Sequence, residues 1–508
     1  MNNIRKGLNL GVGRNLAFLI AIAALVSVFA FIAIAPTDVD SSYPDHGDAG
    51  GGVTWKWDPE TRTLTFSKTG SGDGRIDDQP DKYLPLWGHA FEDASYVVVE
   101  QGVTYLGKRT FAANIDPSIE LLTVPADLEY GTFSAFSMRG LKAIKLTGNG
   151  PMAAYDSGKW ELPWYRSDKL ETVIIDYGVT SISDKVFEKC RTIQQVDLPA
   201  TLKKIGADAF SGCRWLSKIT LPAQLESIGD HAFFECALRS IAVPDSVTYM
   251  GEGVFMNNFK LTYAKLSYSI DYVPDDTFLY CYDLATVSKP VIKIIGKNAF
   301  SNCKAMEKFD FNEGLVSIGN SAFSSTGLKS VEFPSTLKVI ESSAFGAIAA
   351  LKSLSIPSTV ETVGPAAFGM CAYLEKIEIG DGVKLCDAAF AWCVSIQYLK
   401  IGQNVTVESQ RTFDYCKFYL DGSELSFNQL AGHTFVGKDL RLVAVDWGQG
   451  NHFPGCSGVR DNSTDRMAHP TRVGTEYADS LIISSDDGRP NTWQCAEGCA
   501  SDSRNRPD

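Results

Sequence analysis

Residues 205–227 read IGADAFSGCRWLSKITLPAQLES, and residues 228–249 read IGDHAFFECALRSIAVPDSVTY. The two stretches align on one phenylalanine each, and this register phenylalanine returns every 22 or 23 residues. A solenoid requires such a period, because every coil presents the same inward side chain to its neighbours. The sequence therefore predicts a β-rich repeat solenoid with a structural core of Phe187, Phe210, Phe233, Phe255, Phe278, Phe300, Phe323, Phe345, Phe368, Phe390 and Phe413.

The common repeat is I-G-x-x-A-F-x-x-C-x-x-L-x-x-I-x-[LIVF]-P. Its L-x-x-I-x-L segment has apolar residues two apart near its end, which indicates a short β-strand. The proline ends the strand because it has no N–H to donate to a ladder. The glycine after the isoleucine predicts a tight corner with positive φ. One coil is too small to bury its apolar face, so we expect the coils to stack as a parallel β array.

The repeat has two predicted starting points and one end. A hairpin with its turn at Asp58-Pro59-Glu60 is predicted near residue 53, and a similar plan returns near residue 146, so we interpret both as hairpin-type starter modules. After Cys416, alternating apolar residues predict a β cap that covers the last coil. The predicted organisation is a linker at 37–52, a first starter module with a short repeat array at 53–145, a second starter module and the main solenoid at 146–416, a β cap at 417–447 and a disordered tail at 448–508.

Residues 1–36 are predicted to be a signal peptide or a signal anchor. The twenty residues Leu16–Ala35 carry no charge, and basic residues precede them while acidic residues follow, which places the N-terminus in the cytoplasm. Ala33-Ile34-Ala35 matches a signal cleavage site, but Pro36 directly after it disfavours cleavage, so an uncleaved transmembrane anchor is the alternative. In both cases the chain beyond about residue 40 is expected outside the cytoplasm or at the cell surface.

Most of the twelve cysteines follow the repeat. In other coils their slot holds Asn258, Thr326 or Ile348, so it is an interior packing position. Parallel strands keep neighbouring Cβ atoms about 4.8 Å apart, beyond the roughly 3.8 Å that a disulfide prefers. We therefore predict buried free thiols, with disulfides between adjacent coils as the alternative, at Cys190, Cys213, Cys236, Cys281, Cys303, Cys371, Cys393 and Cys416.

The sequence offers little catalytic chemistry. It contains no G-x-S-x-G elbow, no H-E-x-x-H motif and no phosphate-binding loop, so we predict that the chain is not an enzyme and binds no cofactor. A weaker alternative is a secreted enzyme with an unrecognised catalytic region near the N-terminus. The net charge of −13 argues against nucleic acid as a partner, because phosphate binding requires a basic surface.

Two groups of potential metal ligands do not match a metal site. The acidic run of Asp73, Asp77, Asp78 and Asp81 lacks the spacing of a calcium loop and is predicted to be a solvated loop. The tail contains residue types that bind zinc, but their spacing differs from that of zinc knuckles, and a disulfide between its last two cysteines is the alternative. We predict no metal site at His452, Cys456, Cys495 and Cys499.

The residues that flank the inward strand position should project from the sheet and are the candidate binding face. They have mixed charge, and Tyr263 and Tyr398 are the plausible anchors, since tyrosine is enriched at binding hot spots. A solvated sheet face is the alternative for most of these positions. The candidate residues are Lys218, Tyr263, Lys265, Lys308, Glu332, Lys376, Glu378, Tyr398 and Lys400.

The repeat unit, together with the leader PWYRSDKLETVIIDYGVTSI, resembles the BspA-like leucine-rich repeat, and the resemblance covers about residues 84–416. It implies a leucine-rich-repeat-like parallel β solenoid on an exported surface protein that binds host matrix proteins, cells or surfaces, and it implies no catalytic residues. The chain departs from the pattern at Pro274 and Glu341, which occupy the corner-glycine position and predict local kinks.

The leading functional hypothesis is therefore a surface protein that mediates adhesion or protein–protein binding through an extended face. Its expected partners are proteins or cell-surface and matrix polymers, and contact with a membrane is expected only through the N-terminal segment. The alternative is a structural component of the cell envelope or matrix whose arrays associate with each other.

Overall fold

The computed structural model describes residues 43–442, except for 80–84, 112–117, 132–139, 155–161, 163, 165–166 and 415. The predicted signal segment at 1–36 and the predicted tail at 448–508 lie outside the described residues. Among the described residues, no helix is both long enough and apolar enough to span a bilayer.

Short strands joined by turns are the main regular elements of the described chain. Its one α-helix is α1, Gly88–Asp93. The strands up to residue 197 are β1 His46–Gly50, β2 Val53–Asp58, β3 Thr63–Lys68, β4 Tyr96–Val99, β5 Tyr105–Leu106, β6 Leu121–Pro125, β7 Glu129–Tyr130, β8 Ala143–Thr147, β9 Gly150–Pro151, β10 Thr172–Ile175, β11 Val179–Ile182 and β12 Gln195–Asp197. The strands of the main array are β13 Lys204–Ile205, β14 Ser227–Ile228, β15 Ser240–Ala242, β16 Tyr249–Met250, β17 Tyr263–Lys265, β18 Tyr272–Val273, β19 Thr286–Ser288, β20 Ile294–Ile295, β21 Ser317–Ile318, β22 Val339–Ile340, β23 Ser353–Ile356, β24 Thr362–Val363, β25 Lys376–Ile379, β26 Lys384–Leu385, β27 Tyr398–Ile401 and β28 Thr406–Val407. The end of the chain adds β29 Cys416–Leu420, β30 Ser423–Leu425, β31 Thr434–Val436 and β32 Leu440–Leu442, with 3₁₀ turns at Gln410–Phe413, Phe427–Gln429 and Gly437–Asp439.

The coils stack through two parallel ladders. A wide ladder joins strands of three to five residues, for example β15, β17 and β19, in which Ser240, Tyr263 and Thr286 are partners in register. A narrow ladder joins two-residue strands on the other side of each coil, for example β13 to β14 and β14 to β16. From β10 onward, partners in the parallel ladders are 22 or 23 residues apart, which is the sequence period. The predicted parallel β-solenoid is confirmed.

The register phenylalanines form one continuous stack inside the array. All eleven are at most 3% exposed. From Phe187 to Phe413, neighbouring ring centroids are 5.2–5.9 Å apart and the ring planes deviate by 17° or less. Each ring therefore covers the next one, as the constant period requires.

The corner glycine has a different role from the predicted one. Gly206 and Gly229 do not have positive φ. A Cβ atom on Gly229 would lie 2.5 Å from the backbone nitrogen of Ala207 in the preceding coil. Glycine is therefore required by the close approach of two backbones. Positive φ occurs instead two residues before and two residues after the register phenylalanine, as at Asp208 and Glu235.

The two predicted kinks have different outcomes. Pro274 has no N–H, so the bond that Gly251 donates to the Ile228 carbonyl has no equivalent one coil later, and the narrow ladder is interrupted between β16 and β18. The hydroxyl of Tyr272 donates instead to the Met250 carbonyl, at 3.4 Å.

At Glu341 the kink prediction is wrong, because the narrow ladder is continuous through β21, β22 and β24. The Glu341 carboxylate accepts the Asn320 N–H of the preceding coil at 3.0 Å. The Glu341 side chain thus accepts a hydrogen bond at a position where most other coils have a glycine.

The first starter module is a β-hairpin followed by a parallel strand. β2 and β3 pair antiparallel around the turn at Asp58, and β3 then pairs in parallel with β4. β1 pairs antiparallel with β2 and lies inside the segment predicted as a linker. The linker prediction is corrected there: His46–Gly50 is an edge strand, because its backbone continues the hydrogen bonding of the hairpin.

A tryptophan marks each starter module. The indole N–H of Trp87 donates to the Thr110 carbonyl at 2.7 Å, and that of Trp164 donates to the Val186 carbonyl at 2.8 Å. Each acceptor directly precedes a phenylalanine, Phe111 or Phe187. Trp164 stacks on Phe187 with centroids 6.1 Å apart, so it occupies the phenylalanine position of the coil before the main array.

The two predicted arrays share one sheet. β1 to β4 are followed in the same eight-stranded sheet by β6, β8, β10 and β12. The predicted boundary between residues 145 and 146 falls within β8, which pairs with both β6 and β10. Hydrogen bonding is therefore continuous from the first starter module into the main array.

The β cap closes the last coil. β31 pairs antiparallel with β27 and ends the wide ladder, while β29, β30 and β32 form a separate small sheet. Phe418 packs against Phe413 and Phe435, with centroids 5.7 and 5.0 Å away. The apolar end of the stack and the free edge of β27 are thus both covered, as the fold prediction requires.

The cysteines of the repeat form a second interior ladder. Among the described residues all nine cysteines are free. The thiol of Cys213 donates to the Phe187 carbonyl of the preceding coil at 3.3 Å, and Cys303 donates likewise to Phe278. Asn258, in the same slot, donates to the Phe233 carbonyl at 2.8 Å. The slot thus supplies a hydrogen bond between coils.

Replacing Phe300 by alanine opens a cavity between two coils. We expect a loss of about 3–5 kcal/mol in the free energy of unfolding and faster amide hydrogen exchange over residues 278–323. Phe259→Ala is the control, because this ring is 44% exposed and its removal should cost less than about 1.5 kcal/mol. Unchanged exchange at 278–323 in the Phe300 variant would contradict the stacking.

The buried thiols predict a loss of stability at alkaline pH. Burial raises the pKa of Cys213, Cys303 and Cys393 above the ordinary value of 9.0. Above pH 9 the unfolded chain releases these protons while the folded chain keeps them, so the free energy of unfolding falls with rising pH. From pH 8 to pH 10 we expect each thiol to account for about 1.4 kcal/mol of this decrease.

Urea unfolding at both pH values measures this effect. The triple variant with alanine at these three positions should lose less stability over that interval than the unmodified chain, although it is less stable at pH 8. Equal losses in the two proteins would show that the thiols ionise in the folded array.

Candidate binding surface

The predicted binding residues lie along the outer side of the wide ladder but not on one sheet. The wide ladder is divided into the eight-stranded sheet that ends at β12, a three-stranded sheet of β15, β17 and β19, and a four-stranded sheet that begins at β23. Of the nine residues, six lie on strands: Tyr263 and Lys265 on β17, Lys376 and Glu378 on β25, and Tyr398 and Lys400 on β27.

Lys218, Lys308 and Glu332 lie outside strands, where the wide ladder is interrupted. At the second interruption the inward positions carry Phe309 and Phe311, and Phe309 packs 5.1 Å from Phe300 and 4.9 Å from Phe323. These rings replace the smaller aliphatic residues that other coils have at the inward positions. The interior packing of this coil therefore differs from that of its neighbours. Ile219 and Leu221 near Lys218 are ordinary aliphatic residues, and side-chain size does not explain the first interruption.

The β17 residues contact a neighbouring loop. The Lys265 ammonium donates to Asp245 at 2.9 Å and lies 5.3 Å from the centroid of the Tyr268 ring. The hydrogen bond from Lys265, with a second from the Tyr268 N–H, lowers the pKa of the Asp245 carboxyl. Tyr263 is 40% exposed and stands beside this group on the same strand. This part of the surface presents two tyrosines and one paired cation.

The β25 and β27 residues form a similar group beside the cap. Lys376 donates to Glu378 at 2.8 Å and lies 5.2 Å from the centroid of the Tyr398 ring. That hydrogen bond lowers the pKa of the Glu378 carboxyl. Tyr398 pairs in register with Val436, and Lys400 pairs with Thr434, both on the antiparallel strand β31. Strand β31 thus extends this part of the surface.

The repeat of residues 180–307 and 293–419 matches the family model of the BspA type leucine-rich repeat region, in six copies. Residues 180–419 are a leucine-rich repeat region of the BspA type. No curated protein gives a significant match.

Several solved leucine-rich repeat structures have a similar fold. A protein from Bacteroides ovatus is 18% identical over 70% of this chain and 89% of its own, with a TM-score of 0.41. A leucine rich cell surface protein from Faecalibacterium prausnitzii is 20% identical over 67% and 96%, with a TM-score of 0.34. The pneumococcal vaccine antigen PcpA is 19% identical over 72% and 88%, with a TM-score of 0.41. We infer no function from these similarities.

The leucine-rich repeats also expose aromatic side chains that the sequence analysis did not single out. Trp215 is 59% exposed and Phe259 is 44% exposed. Phe259 stacks on Tyr282 of the next coil, with centroids 5.4 Å apart and planes at 14°. These residues follow the interior cysteine slot by one or two positions. An alignment of the coils at these positions would have found them. The position directly after the slot holds polar residues, Arg191, Arg214 and Lys304, in other coils, so an aromatic residue there is also expected to be exposed.

The described part of the repeat protein holds no group of three or more His, Cys, Asp or Glu residues placed to bind a metal ion. In the predicted acidic loop, Asp78 accepts the Lys108 N–H at 2.7 Å and the Asp73 carbonyl accepts the Thr104 hydroxyl at 2.8 Å. These bonds attach the loop to the array. The Asp77 N–H donates to the Ala49 carbonyl at 3.0 Å. Asp81 and the tail residues His452, Cys456, Cys495 and Cys499 lie outside the described residues.

Proposed function

We propose that this repeat protein is exported and acts at the cell surface, where its outer side binds proteins or cell-surface and matrix polymers of a host or of neighbouring cells. The observation that carries the proposal is the constant register of the array. Residues one coil apart stand side by side, so outward side chains form rows within each sheet of the wide ladder. Such rows suit partners that contact many positions at once.

The tyrosine and lysine groups are the proposed contact points. Tyr263 with Lys265, and Tyr398 with Lys376, each combine an aromatic ring with a cation on an outward strand position. Tyrosine provides a large contact area at low entropic cost and is frequent in binding hot spots. The charges around them are largely paired, which leaves the rings as the main source of affinity.

Binding of the full chain, kept in solution with a non-ionic detergent, to intact cells and to immobilised matrix proteins tests the proposal. The double variant Tyr263→Ala, Tyr398→Ala should bind about tenfold more weakly or worse. Tyr177→Ala is the matched control, since Tyr177 is 79% exposed and lies outside the binding face. Surface labelling of intact producing cells should detect the chain.

Other outcomes separate the alternatives. Self-association of the chain without binding to cells or matrix would favour the structural role in the envelope. Turnover of a polymer during the assay would favour the enzyme. Labelling of the chain in broken cells but not in intact ones would contradict the proposed location.

A further inference from the structure

A row of mostly basic segments lies along one edge of the wide ladder. In the eight coils from Phe187 to Phe345 it extends from the fourth residue after the register phenylalanine to the first outward strand position, and we call it the basic flank. Backbone hydrogen bonds hold these segments side by side: Trp215 N–H donates to Arg191 O at 3.1 Å, and Thr262 N–H donates to Arg239 O at 2.9 Å. The flank comprises residues 191–195, 214–218, 237–240, 259–263, 282–286, 304–308, 327–330 and 349–353.

The charge of the flank opposes that of the chain. It contains nine lysines and arginines but two acidic residues, Asp283 and Glu307, for a net charge of +7 in a chain of net charge −13. Seven of its cations are exposed and form no ion pair with any described residue: Arg191, Lys218, Arg239, Lys260, Lys304, Lys308 and Lys352.

Ion pairing is more frequent beside the narrow ladder, where exceptions such as Lys204 and Lys297 are scattered. Beside the narrow ladder, Lys203 pairs with Glu226 at 2.9 Å and Lys293 pairs with Asp271 at 2.8 Å, each across neighbouring coils. Positive charges in neighbouring coils repel each other, which lowers the free energy of unfolding. Folding therefore does not account for a row of unpaired cations, whereas an anionic ligand does.

Aromatic rings are interleaved with these cations. Trp215 lies between Arg214 and Lys218 in the chain, and Phe259 directly precedes Lys260. At the position of Phe259, the preceding coil carries Ala237. The small side chain of Ala237 therefore leaves open space between the exposed rings of Trp215 and Phe259. Trp215 and Phe259 belong to coils two steps apart, which corresponds to about 10 Å along the array.

We propose that the basic flank binds an anionic polysaccharide, a chain of sugar rings that carry sulfate or carboxylate groups. Successive coils are about 4.8 Å apart, which is close to the length of one sugar residue, so anionic groups that recur along the polymer meet cations that recur along the array. The apolar faces of sugar rings pack on exposed aromatic rings. This inference rests on the proposed binding function and names the chemical class of one ligand.

The ring geometry favours a polysaccharide over single-stranded nucleic acid. Phe259 and Tyr282 already stack on each other, and the Lys304 ammonium lies 5.2 Å from the Tyr282 centroid. Successive bases of a single strand each stack on the free face of an aromatic side chain. In the pair of Phe259 and Tyr282, each ring covers one face of its partner. A sugar chain needs only shallow contacts along the edge of the row.

Direct binding of the full chain, in non-ionic detergent, to dextran sulfate and to polygalacturonate tests the proposal, with neutral dextran as the reference. The flank variant carries Lys218→Gln, Arg239→Gln, Lys308→Gln and Lys352→Gln. The control variant carries Lys56→Gln, Lys68→Gln, Lys204→Gln and Lys297→Gln, at exposed lysines outside the flank. Both variants lower the net charge by the same amount. A difference in affinity between them therefore reflects the position of the cations and not the total charge.

We expect both anionic polymers to bind and neutral dextran not to bind. The flank variant should lose about tenfold or more in affinity, and its affinity should fall less steeply between about 50 and 200 mM salt than that of the unmodified chain. The control variant should stay within about twofold. Trp215→Ala with Phe259→Ala should weaken binding severalfold without changing the salt dependence, because no charge is removed.

Three results would overturn the inference. The first is full affinity for both polysaccharides in the flank variant, and the second is an equal loss of affinity in the control variant. The third is tighter binding of a single-stranded oligonucleotide or of polyglutamate than of either polysaccharide. The proposed function fails separately. A chain that binds cells and matrix but neither anionic polymer keeps that function and loses this ligand. A chain that binds the polymers but no cell or matrix keeps this ligand and loses that function.

Discussion

The stacking of each register phenylalanine on its equivalents in the coils before and after is the contact on which the array depends. Ring centroids 5.2–5.9 Å apart leave room for one coil per ring, and a coil of different length would displace its ring from the stack. The period of 22 or 23 residues follows from this limit. The interior is thus nearly uniform, and chemical variety is confined to outward positions.

The corners show how much variation this contact tolerates. The glycine of the narrow corner is required because two backbones approach closely, yet Glu341 and Pro274 occupy the same position in other coils. A carboxylate that accepts a neighbouring N–H compensates in one case, and a tyrosine hydroxyl in the other. The stack of rings continues through both coils, so interior packing outweighs a local loss in the ladder.

The outward side of the array presents two chemically different rows. The strand positions carry tyrosines beside lysines that are paired with carboxylates, and such groups suit contacts with protein surfaces. The flank carries unpaired cations beside tryptophan and phenylalanine, which suits an anionic polymer. Both rows belong to the same array, so the protein and the polysaccharide that we propose as partners would contact adjacent edges of it.

The sequence by itself determined the solenoid, its register and its interior, because a strict period leaves one way to bury the phenylalanines and the residues that follow them by three. It also located the turn at Asp58 and the cap after Cys416, where the apolar pattern changes. The tertiary structure decided the rest: the role of the corner glycine, the division of the wide ladder, the edge strand at 46–50 and the basic flank. These depend on distances between backbones and on which charges find partners. Residues in neighbouring coils set both, except at the edge strand, whose partner strand follows it directly in the chain.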